Sequence, residues 1–318
     1  MSKHFPAYGM RPTRQGFGEG LWMAAQENPR VVALAADLSE SIQMTRFKQD
    51  FPERFFQAGV AEANMIGVAA GLTIGGWIPF AGSFVNFITA RVFDQIRQSV
   101  AYSNKNVKLV GSHMGLTLGE DGATHQNLED LAMMRSLPNM TILSPCDAIQ
   151  TRQATLAAAR HHGPVYLRFG RPKWPVFIPE DMPFEIGKAQ ILVEGSDVTI
   201  IAVGHMVWQA LEAAEILEKQ GIQAEVINMH TIKPLDEQAV IRSAQKTGAV
   251  VTAEEHQKYG GLGGAVAEVL SEHFPVRMQR IAVDNRFGES GKPHQLLKKY
   301  GLTPQNIAEA AQRLLNKL

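Results

Sequence analysis

One acidic side chain, Glu62, stands alone in a long apolar part of the chain. It lies within the run Gly-Val-Ala-Glu-Ala-Asn-Met at 59–65, and no other Asp or Glu occurs between Arg54 and Asp94. A carboxylate buried among apolar residues needs a hydrogen-bonding partner or a chemical role, and proton exchange with a ligand nitrogen is such a role. The alternative is that Glu62 stabilises the first turn of a helix starting nearby, where acids are favoured.

A second group of reactive side chains lies in the glycine-containing loop 112–126. The loop follows a predicted strand at 107–111, and open α/β sheets bind ligands at the carboxyl ends of their strands. Four of its side chains can bind polar groups or exchange protons: His113, Glu120, Asp121 and His125. Their spacing matches no common zinc site, so we predict no metal ligands here. Histidines that donate to a hydroxyl or phosphate of a ligand are the favoured interpretation.

Two arginines, Arg168 and Arg171, lie at the end of a later predicted strand at 165–169. The guanidinium group presents paired N–H donors that suit a phosphate or a carboxylate. A surface ion pair is the alternative for each arginine. Because the ends of parallel strands meet at one edge of a sheet, we expect these arginines near the loop 112–126.

The composition is that of a globular protein long enough for two domains. Of 318 residues, 45% are hydrophobic and 19% charged, and 31 Lys and Arg balance 31 Asp and Glu, which gives no indication of nucleic-acid binding. The apolar stretch at 65–87 is interrupted by polar residues and glycines, which indicates core rather than a membrane span. The N-terminus lacks the apolar core of a signal peptide, and the single Cys146 fits a reducing environment, so we predict a cytoplasmic location.

Predicted strands and helices alternate in two sets. The first set has strands at 31–36, 55–60, 107–111, 141–143 and 165–169, helices at 11–28, 94–102, 127–136 and 147–160, and a polar loop at 37–45. The second set has strands at 198–203, 224–227, 249–253 and within 276–283, and helices ending near 219, at 235–246, at 265–270 and from Pro304, with Thr303 as N-cap. This alternation predicts an α/β protein with two doubly wound, mostly parallel sheets.

Four prolines between 172 and 183 predict a linker between the two sets. We place the domain boundary near residue 190, which gives a first domain at 1–189 and a smaller second domain at 190–318. The glycine-rich turn at 260–264 lacks the G-x-G-x-x-G spacing of dinucleotide sites. Close packing of its backbone against a neighbour is the favoured interpretation.

Two stretches, 59–65 and Gly-Glu-Asp-Gly-Ala-Thr-His-Gln at 119–126, resemble signature sequences of transketolases. Matching short motifs occur in the same order at Thr13-Arg14, Ala36-Asp37-Leu38, the phenylalanines at 84 and 87, 137–140, 232–236 and 260–263. The resemblance covers nearly the whole chain but only the C-terminal half of a full-length transketolase. It implies a pyrimidine-binding domain followed by a transketolase C-terminal domain, as in transketolases split over two genes.

The resemblance implies thiamine diphosphate as cofactor and transfer of a two-carbon ketol unit from a ketose phosphate, for example of the pentose phosphate type, to an aldose. Glu62 is then the catalytic acid that hydrogen-bonds N1′ of the aminopyrimidine. Phe84 and Phe87 lie beside the pyrimidine ring, and Asp37 lies at the cofactor and subunit interface. Six residues resemble ligands of the sugar substrate: His113, Asp121, His125, Arg171, Arg14 and Ser41.

One family motif is missing, the Gly-Asp-Gly sequence that holds the diphosphate through Mg²⁺ or Ca²⁺. The resemblance therefore implies that a separate N-terminal subunit carries the metal ligands, that this chain carries none, and that the two form a heterotetramer. Three alternatives stay open from the sequence. They are a 1-deoxyxylulose-5-phosphate synthase, the β subunit of a 2-oxoacid dehydrogenase, and a non-catalytic partner subunit.

Overall fold

The first part of the chain forms a sheet with helices on both sides. The structure is a computed structural model and describes residues 5–316. The elements are β1 (Met10–Pro12), α1 (Thr13–Glu27), β2 (Val31–Ala35), α2 (Thr45–Asp50), β3 (Phe55–Gln57), α3 (Glu62–Leu72), β4 (Ile78–Phe84), α4 (Val85–Ile88), α5 (Phe93–Gln95), β5 (Lys108–Ser112), α6 (Asp130–Arg135), β6 (Thr141–Leu143), α7 (Ala148–Arg160), β7 (Val165–Phe169) and β8 (Lys173–Pro175). A π-helical segment, Ile96–Tyr102, continues α5, and short 3-10 turns lie at 52–54, 73–75, 90–92 and 116–118.

The second part of the chain forms a smaller sheet. Its elements are β9 (Gln190–Val193), β10 (Val198–Ala202), α8 (Met206–Glu218), β11 (Ala224–Asn228), β12 (Thr231–Lys233), α9 (Glu237–Thr247), β13 (Ala249–Gln257), α10 (Leu262–His273), β14 (Arg277–Val283), α11 (Pro293–Lys299) and α12 (Pro304–Leu315). The strand order is β14-β13-β10-β11-β9, with β9 antiparallel to β11 and the other pairs parallel. Helix α12 begins as predicted, because the Thr303 hydroxyl accepts a hydrogen bond from the Asn306 N–H at 3.3 Å.

The larger sheet has the order β12-β6-β7-β5-β4-β2-β3. Its strands are parallel except for β12, which is antiparallel to β6. Strands β2, β5 and β7 are buried along their whole length, as expected for inner strands of a parallel sheet covered by helices. The predicted fold class, two mostly parallel doubly wound sheets, is therefore confirmed.

Helix α1 lies unusually close to α7. A Cβ atom added at Gly16 would lie 1.9 Å from the carbonyl oxygen of Ala148, and one at Gly20 would lie 2.8 Å from that of Arg152. Only glycine allows this approach, so the two glycines explain why a helix with little intrinsic stability packs here. The packing fixes the start of α1, which carries Arg14, over the carboxyl edge of the sheet.

The predicted linker at 172–183 is wrong in part, because much of it is folded onto the first unit. Strand β8 pairs with β1 in antiparallel orientation. The N–H groups of Phe177 and Ile178 then donate to Oδ2 of Asp147 at 2.8 and 2.7 Å. The same carboxylate caps α7 through Oδ1, which accepts from the Gln150 N–H at 2.8 Å.

Two further differences concern the predicted elements. Helix α2 follows the polar loop, where the sequence pattern indicated no helix. Strand β12 lies beyond residue 190 yet joins the larger sheet, so the two units are interlocked. The boundary near 190 stays a prediction. Within residues 5–316, no helix combines the length and apolar character that a membrane crossing requires.

The glycine-rich turn closes on a carboxylate of the protein itself. The Glu254 carboxylate accepts hydrogen bonds from the N–H groups of Leu262 at 2.7 Å and Gly263 at 2.8 Å. A Cβ atom at Gly261 would lie 2.0 Å from Glu254 Oε2. The glycines thus permit close packing, and the positive end of α10 is already matched by a negative charge.

Candidate active site

The predicted site residues lie along the carboxyl edge of the larger sheet. Phe84 ends β4, His113 follows β5, and Arg171 follows β7. The Thr13 hydroxyl donates to the carbonyl oxygen of Gly170 at 3.0 Å, which holds the first turn of α1 against the end of β7. This bond brings Arg14, the next residue, to the same edge as Arg171.

Glu62 is the first residue of α3 and is only 3% exposed. Both of its carboxylate oxygens lie 3.2 Å from Nη1 of Arg91, which donates to them. The N-cap residue Ala61 makes no side-chain capping bond. The carboxylate of Glu62 therefore points away from its own helix toward a cation, and the interpretation of Glu62 as a helix-stabilising acid alone does not account for its contacts.

Phe87 connects Glu62 to the histidines. The guanidinium of Arg91 lies over the Phe87 ring, 4.1 Å from its centroid. The same ring stacks beside Phe84 at 5.9 Å between centroids and meets His125 edge-on at 5.2 Å. Phe84 in turn stacks on His113 at 3.9 Å. Glu62 is therefore connected through Arg91 to the two stacked phenylalanine rings, and each ring contacts one histidine.

His113 is held in a strained and buried position. Its φ is +65°, in the left-handed region, it is 3% exposed, and its Nδ1 lies 2.8 Å from the Ser112 hydroxyl. Burial and, to a smaller extent, the positive charges of Arg14 and Arg171 together lower the pKa of His113 to about 3. The imidazole is therefore neutral at physiological pH and can donate one hydrogen bond and accept another.

This neutrality gives a prediction for the pH dependence of stability. The folded-state pKa of about 3 lies below the ordinary histidine pKa of 6.5, so between these values only the unfolded state binds the proton. We expect His113 to lower the free energy of unfolding as the pH falls from 6.5, and His113→Gln to lose stability less steeply with acid. Urea unfolding of both proteins at several pH values measures the difference. Parallel pH curves for the two would show that folding does not change the pKa of His113.

A cationic cavity of about 350 Å³ lies at the same edge of the sheet. Its lining includes Arg14, Thr117, Glu120, Arg171 and Lys173. His113 is not part of this lining, but two of the lining arginines, Arg14 and Arg171, are close enough to lower the pKa of His113. Arg14 donates through Nη1 to the carbonyl oxygen of Ser41 at 2.8 Å, and its pKa is lowered by burial and by the neighbouring Arg171. Such a pair of arginines is stabilised by a bound anion.

Arg171 is held at the cavity wall by the substrate loop predicted from the sequence. Its Nη1 donates to the carbonyl oxygen of Leu118 at 2.8 Å and to Oε2 of Glu120 at 3.1 Å. Glu120 is exposed, with 59% of its side chain accessible, so solvent reaches this ion pair. The cavity thus brings together three cationic side chains, of Arg14, Arg171 and Lys173, and one carboxylate, of Glu120.

The comparisons with known proteins cover both parts of the chain. The family model for the transketolase pyrimidine binding domain matches residues 10–176. The chain belongs to the transketolase family. The model for the transketolase C-terminal domain matches residues 187–307, so the predicted pair of domain types is confirmed in the predicted order.

Transketolases encoded by split genes are among the most similar proteins. The 6-deoxy-6-sulfo-D-fructose transketolase subunit SqwH of a Clostridium species is 50% identical over 92% of this chain and 91% of its own. A putative transketolase C-terminal section of Methanocaldococcus jannaschii is 47% identical over 96% of both chains. A solved split gene transketolase, described as an inactive beta4 tetramer, superposes with a TM-score of 0.90 at 49% identity over 96% of this chain and 98% of that one. This chain is thus a transketolase subunit of the C-terminal, split-gene type.

Not every predicted residue lies where the transketolase resemblance led us to expect. The prediction that Arg168 binds an anionic ligand is wrong, because Arg168 is 1% exposed and its Nε donates to the Asp130 carboxylate at 2.7 Å. It cannot serve as an alternative ligand of an anion. His125 contacts Phe87 but not the cationic cavity, whose lining does not include it. Its assignment as a phosphate ligand stays a prediction.

Asp37, Ser41 and Asp121 stay predictions as well. Asp37 is exposed with φ of +59°, and its N–H donates to Gln57 Oε1 at 2.8 Å. Asp121 is exposed at the loop tip, and Ser41 contributes its carbonyl oxygen to Arg14. Asp37 and Asp121 are free to meet another chain or a substrate.

Sequence reasoning missed two cations of this transketolase site. Arg91 lies against Glu62 and Phe87, and Lys173 lines the cationic cavity. Lys173 could have been found from its position two residues after Arg171. Arg91 had a weaker signal, as the first charged residue after Glu62 in an apolar stretch. Among residues 5–316, no group of three or more His, Cys, Asp or Glu side chains is placed to hold a metal ion.

Proposed function

We propose that Glu62, Phe84 and Phe87 form the pyrimidine side of a thiamine diphosphate site that a separate subunit completes. The observation that carries this proposal is the position of the Arg91 guanidinium. It is a planar group with N–H donors, it lies on the Phe87 ring at 4.1 Å, and it donates to Glu62 at 3.2 Å. An aminopyrimidine is also planar and forms hydrogen bonds through its ring nitrogens and amino group, so it would take the place of this guanidinium between Phe87 and Glu62.

The residues of this chain would then act as follows. Bound thiamine diphosphate supplies a carbon nucleophile and electron sink for cleaving and forming the bond next to a ketose carbonyl. Glu62 would hold and release a proton at the pyrimidine nitrogen N1′, from a position that solvent hardly reaches. Neutral His113 would orient a sugar hydroxyl, and Phe84 and Phe87 would exclude water from the ring face.

The cationic cavity would bind the anionic end of the ketose. Its arginines and Lys173 suit a phosphate, which is the substrate group implied by the family. A sulfonate also carries three terminal oxygens on a tetrahedral central atom, and the Clostridium relative is named for a sulfonated fructose. We propose that the donor is an anionic ketose, with a ketose phosphate and a ketose sulfonate as the two candidates to test.

The likeness to split-gene transketolases supports an assembly of two kinds of subunit. A separate N-terminal subunit would supply the diphosphate site with Mg²⁺ or Ca²⁺, in the cytoplasm. One surface supports an apolar interface, since Val60 is 74% exposed and Ile74 is 78% exposed at the two ends of α3. Between them, a Cβ added at Gly67 or Gly71 would meet nothing within 4 Å. We propose that this surface pairs with a second copy in the isolated chain and that the active form is a heterotetramer.

Mixing the two subunits tests the proposal. We expect the isolated chain to bind thiamine diphosphate weakly and to show no ketol transfer. With the N-terminal subunit, Mg²⁺ and the cofactor, it should form a heterotetramer that converts a ketose phosphate or sulfonate and an aldose. Light scattering gives the stoichiometry, and a coupled assay gives the rate. Ketol transfer by this chain without any partner would refute the split-site proposal.

A further inference from the structure

A buried carboxylate of the second unit is bound to the loop that carries the candidate substrate residues. Glu255 lies in β13 and is 1% exposed. Its Oε2 accepts a hydrogen bond from the Thr117 N–H at 2.9 Å, and its Oε1 accepts one from the Thr117 hydroxyl at 3.1 Å. A buried carboxylate needs donors, and Glu255 obtains these two from the loop 112–126 of the first unit.

The loop backbone is shaped around this side chain. Gly115 has φ of +65°, and a Cβ added there would lie 2.7 Å from Glu255 Oε2. Glycine is required on both counts. His205, also from the second unit and fully buried, places its Nδ1 3.3 Å from the Thr117 hydroxyl and 3.5 Å from Glu255 Oε1. The turn 115–117 is therefore enclosed by polar groups of the second unit.

The position of this turn matters for the cavity. Thr117 lies midway between His113 and Asp121, and the next residue, Leu118, offers the carbonyl oxygen that Arg171 binds at 2.8 Å. The loop is held a second time where Gln126 Nε2 donates to the Glu289 carbonyl oxygen at 3.1 Å. A shift of the turn would thus move the backbone on both sides of it and release the anchor of Arg171.

We propose that Glu255 is a positioning residue: through Thr117 it fixes the loop 112–126, so that the second unit sets the geometry of the anionic-substrate cavity. The proposal rests on the proposed function in one respect, that this cavity binds the substrate. It gives the second unit a role in substrate recognition beyond the one side chain, that of Pro293, that it contributes to the cavity lining. The effect on substrate binding should exceed the effect on the chemical step, because Glu62 and Phe87 lie outside the clamped turn.

The neighbouring residue provides a matched control. Glu254 is equally buried in the same strand, but its carboxylate binds the N–H groups of Leu262 and Gly263 at the start of α10. Glu255→Met and Glu254→Met each remove one buried carboxylate and replace it by an uncharged side chain of similar volume. The glutamine variant, Glu255→Gln, keeps one acceptor for the Thr117 N–H and should partly restore the wild-type behaviour.

Amide hydrogen exchange of the isolated full chain tests the clamp without any assay of activity. In Glu255→Met we expect the peptide containing Thr117 and Leu118 to exchange at least about tenfold faster, since a charged hydrogen bond is lost. In Glu254→Met the faster peptide should be the one containing Leu262 and Gly263. Unchanged exchange around Thr117 in Glu255→Met would overturn the proposal, whatever the function of the protein.

Steady-state kinetics of the reconstituted complex provide the second readout. We expect Glu255→Met to raise KM for the anionic ketose about tenfold with little change in kcat, and Glu254→Met to leave KM unchanged at a similar loss of Tm. An equal rise of KM in both variants would show that Glu255 only stabilises the fold, and would overturn the proposal.

If Glu255→Met does not fold, Thr117→Val removes the hydrogen bond that the Thr117 hydroxyl donates to Glu255, and Thr117→Ser retains it. A KM rise of about threefold or more in the valine variant alone is then expected, and equal KM values would overturn the proposal. If the wild-type complex shows no ketol transfer, the proposed function is refuted, but the hydrogen-exchange test of the contact between Glu255 and Thr117 remains valid.

Discussion

Replacing Glu62 by glutamine is expected to slow exchange of the C2 proton of bound thiamine diphosphate by about 10²- to 10⁴-fold, the range typical for loss of an acid–base group. Glutamine has the shape of glutamate and still forms a hydrogen bond, so cofactor affinity should change much less. What glutamine cannot do at neutral pH is take up and release a proton at N1′. Proton exchange in the reconstituted complex, measured by NMR after rapid quenching, separates these two effects.

The ion pair with Arg91 requires a control, because Glu62→Gln also weakens it. Arg91→Met removes the cation, keeps the Glu62 carboxylate and leaves an apolar side chain against Phe87. If Glu62 acts through its proton, Arg91→Met should retain proton exchange within about tenfold of the wild type. Equal slowing in both variants would assign the effect to the ion pair. Exchange of the glutamine variant at the wild-type rate would show that the assignment of Glu62 as the catalytic acid is wrong.

The fold was predictable where the sequence pattern is local. Strand β2 is a run of buried apolar residues, and α7 begins at an aspartate whose capping bond is confirmed. The pattern failed for β1, β8 and β12, which have three residues each. Their pairing depends on distant parts of the chain, since Arg11 lies opposite Trp174 in β8. Length alone is not the reason, because β6 also has three residues and was predicted at 141–143. Strands β1, β8 and β12 all pair in antiparallel orientation, outside the alternation of parallel strands and helices on which the prediction depended.

The site shows the same division between residue type and partner. The loop 112–126 could be recognised from its histidines and acids, but not the carboxylate that holds it, because Glu255 is 138 positions from Thr117. Arg168 and Arg171 have equal chemistry and nearly equal positions in the sequence. What separates them is Asp130, which neutralises Arg168 inside the sheet and is 38 positions away. Burial and pairing are therefore what the sequence left undetermined here.

Replacing Arg171 by alanine is expected to raise KM for an anionic ketose by about 10- to 100-fold, since a charged hydrogen bond contributes about 1.5–3 kcal/mol and each 1.4 kcal/mol is tenfold. Arg171 lines the cationic cavity, and its charge adds to that of Arg14. The anionic group lies far from the bond being formed, so kcat should change less. Kinetics of the reconstituted complex with a ketose phosphate or sulfonate measure both constants.

The structure also shows why a control is necessary, because Arg171 binds the Leu118 carbonyl and its loss could disturb the loop. Arg171→Lys keeps the charge and a single donor but not the paired N–H groups, so we expect its KM to lie between those of the wild type and the alanine variant. A ketose without an anionic group should show nearly the same KM with all three proteins, because it gains nothing from the cavity. If Arg171→Ala impairs both kinds of ketose equally and lowers Tm, the arginine stabilises the loop, and Arg14 with Lys173 would remain as the ligands of the anion.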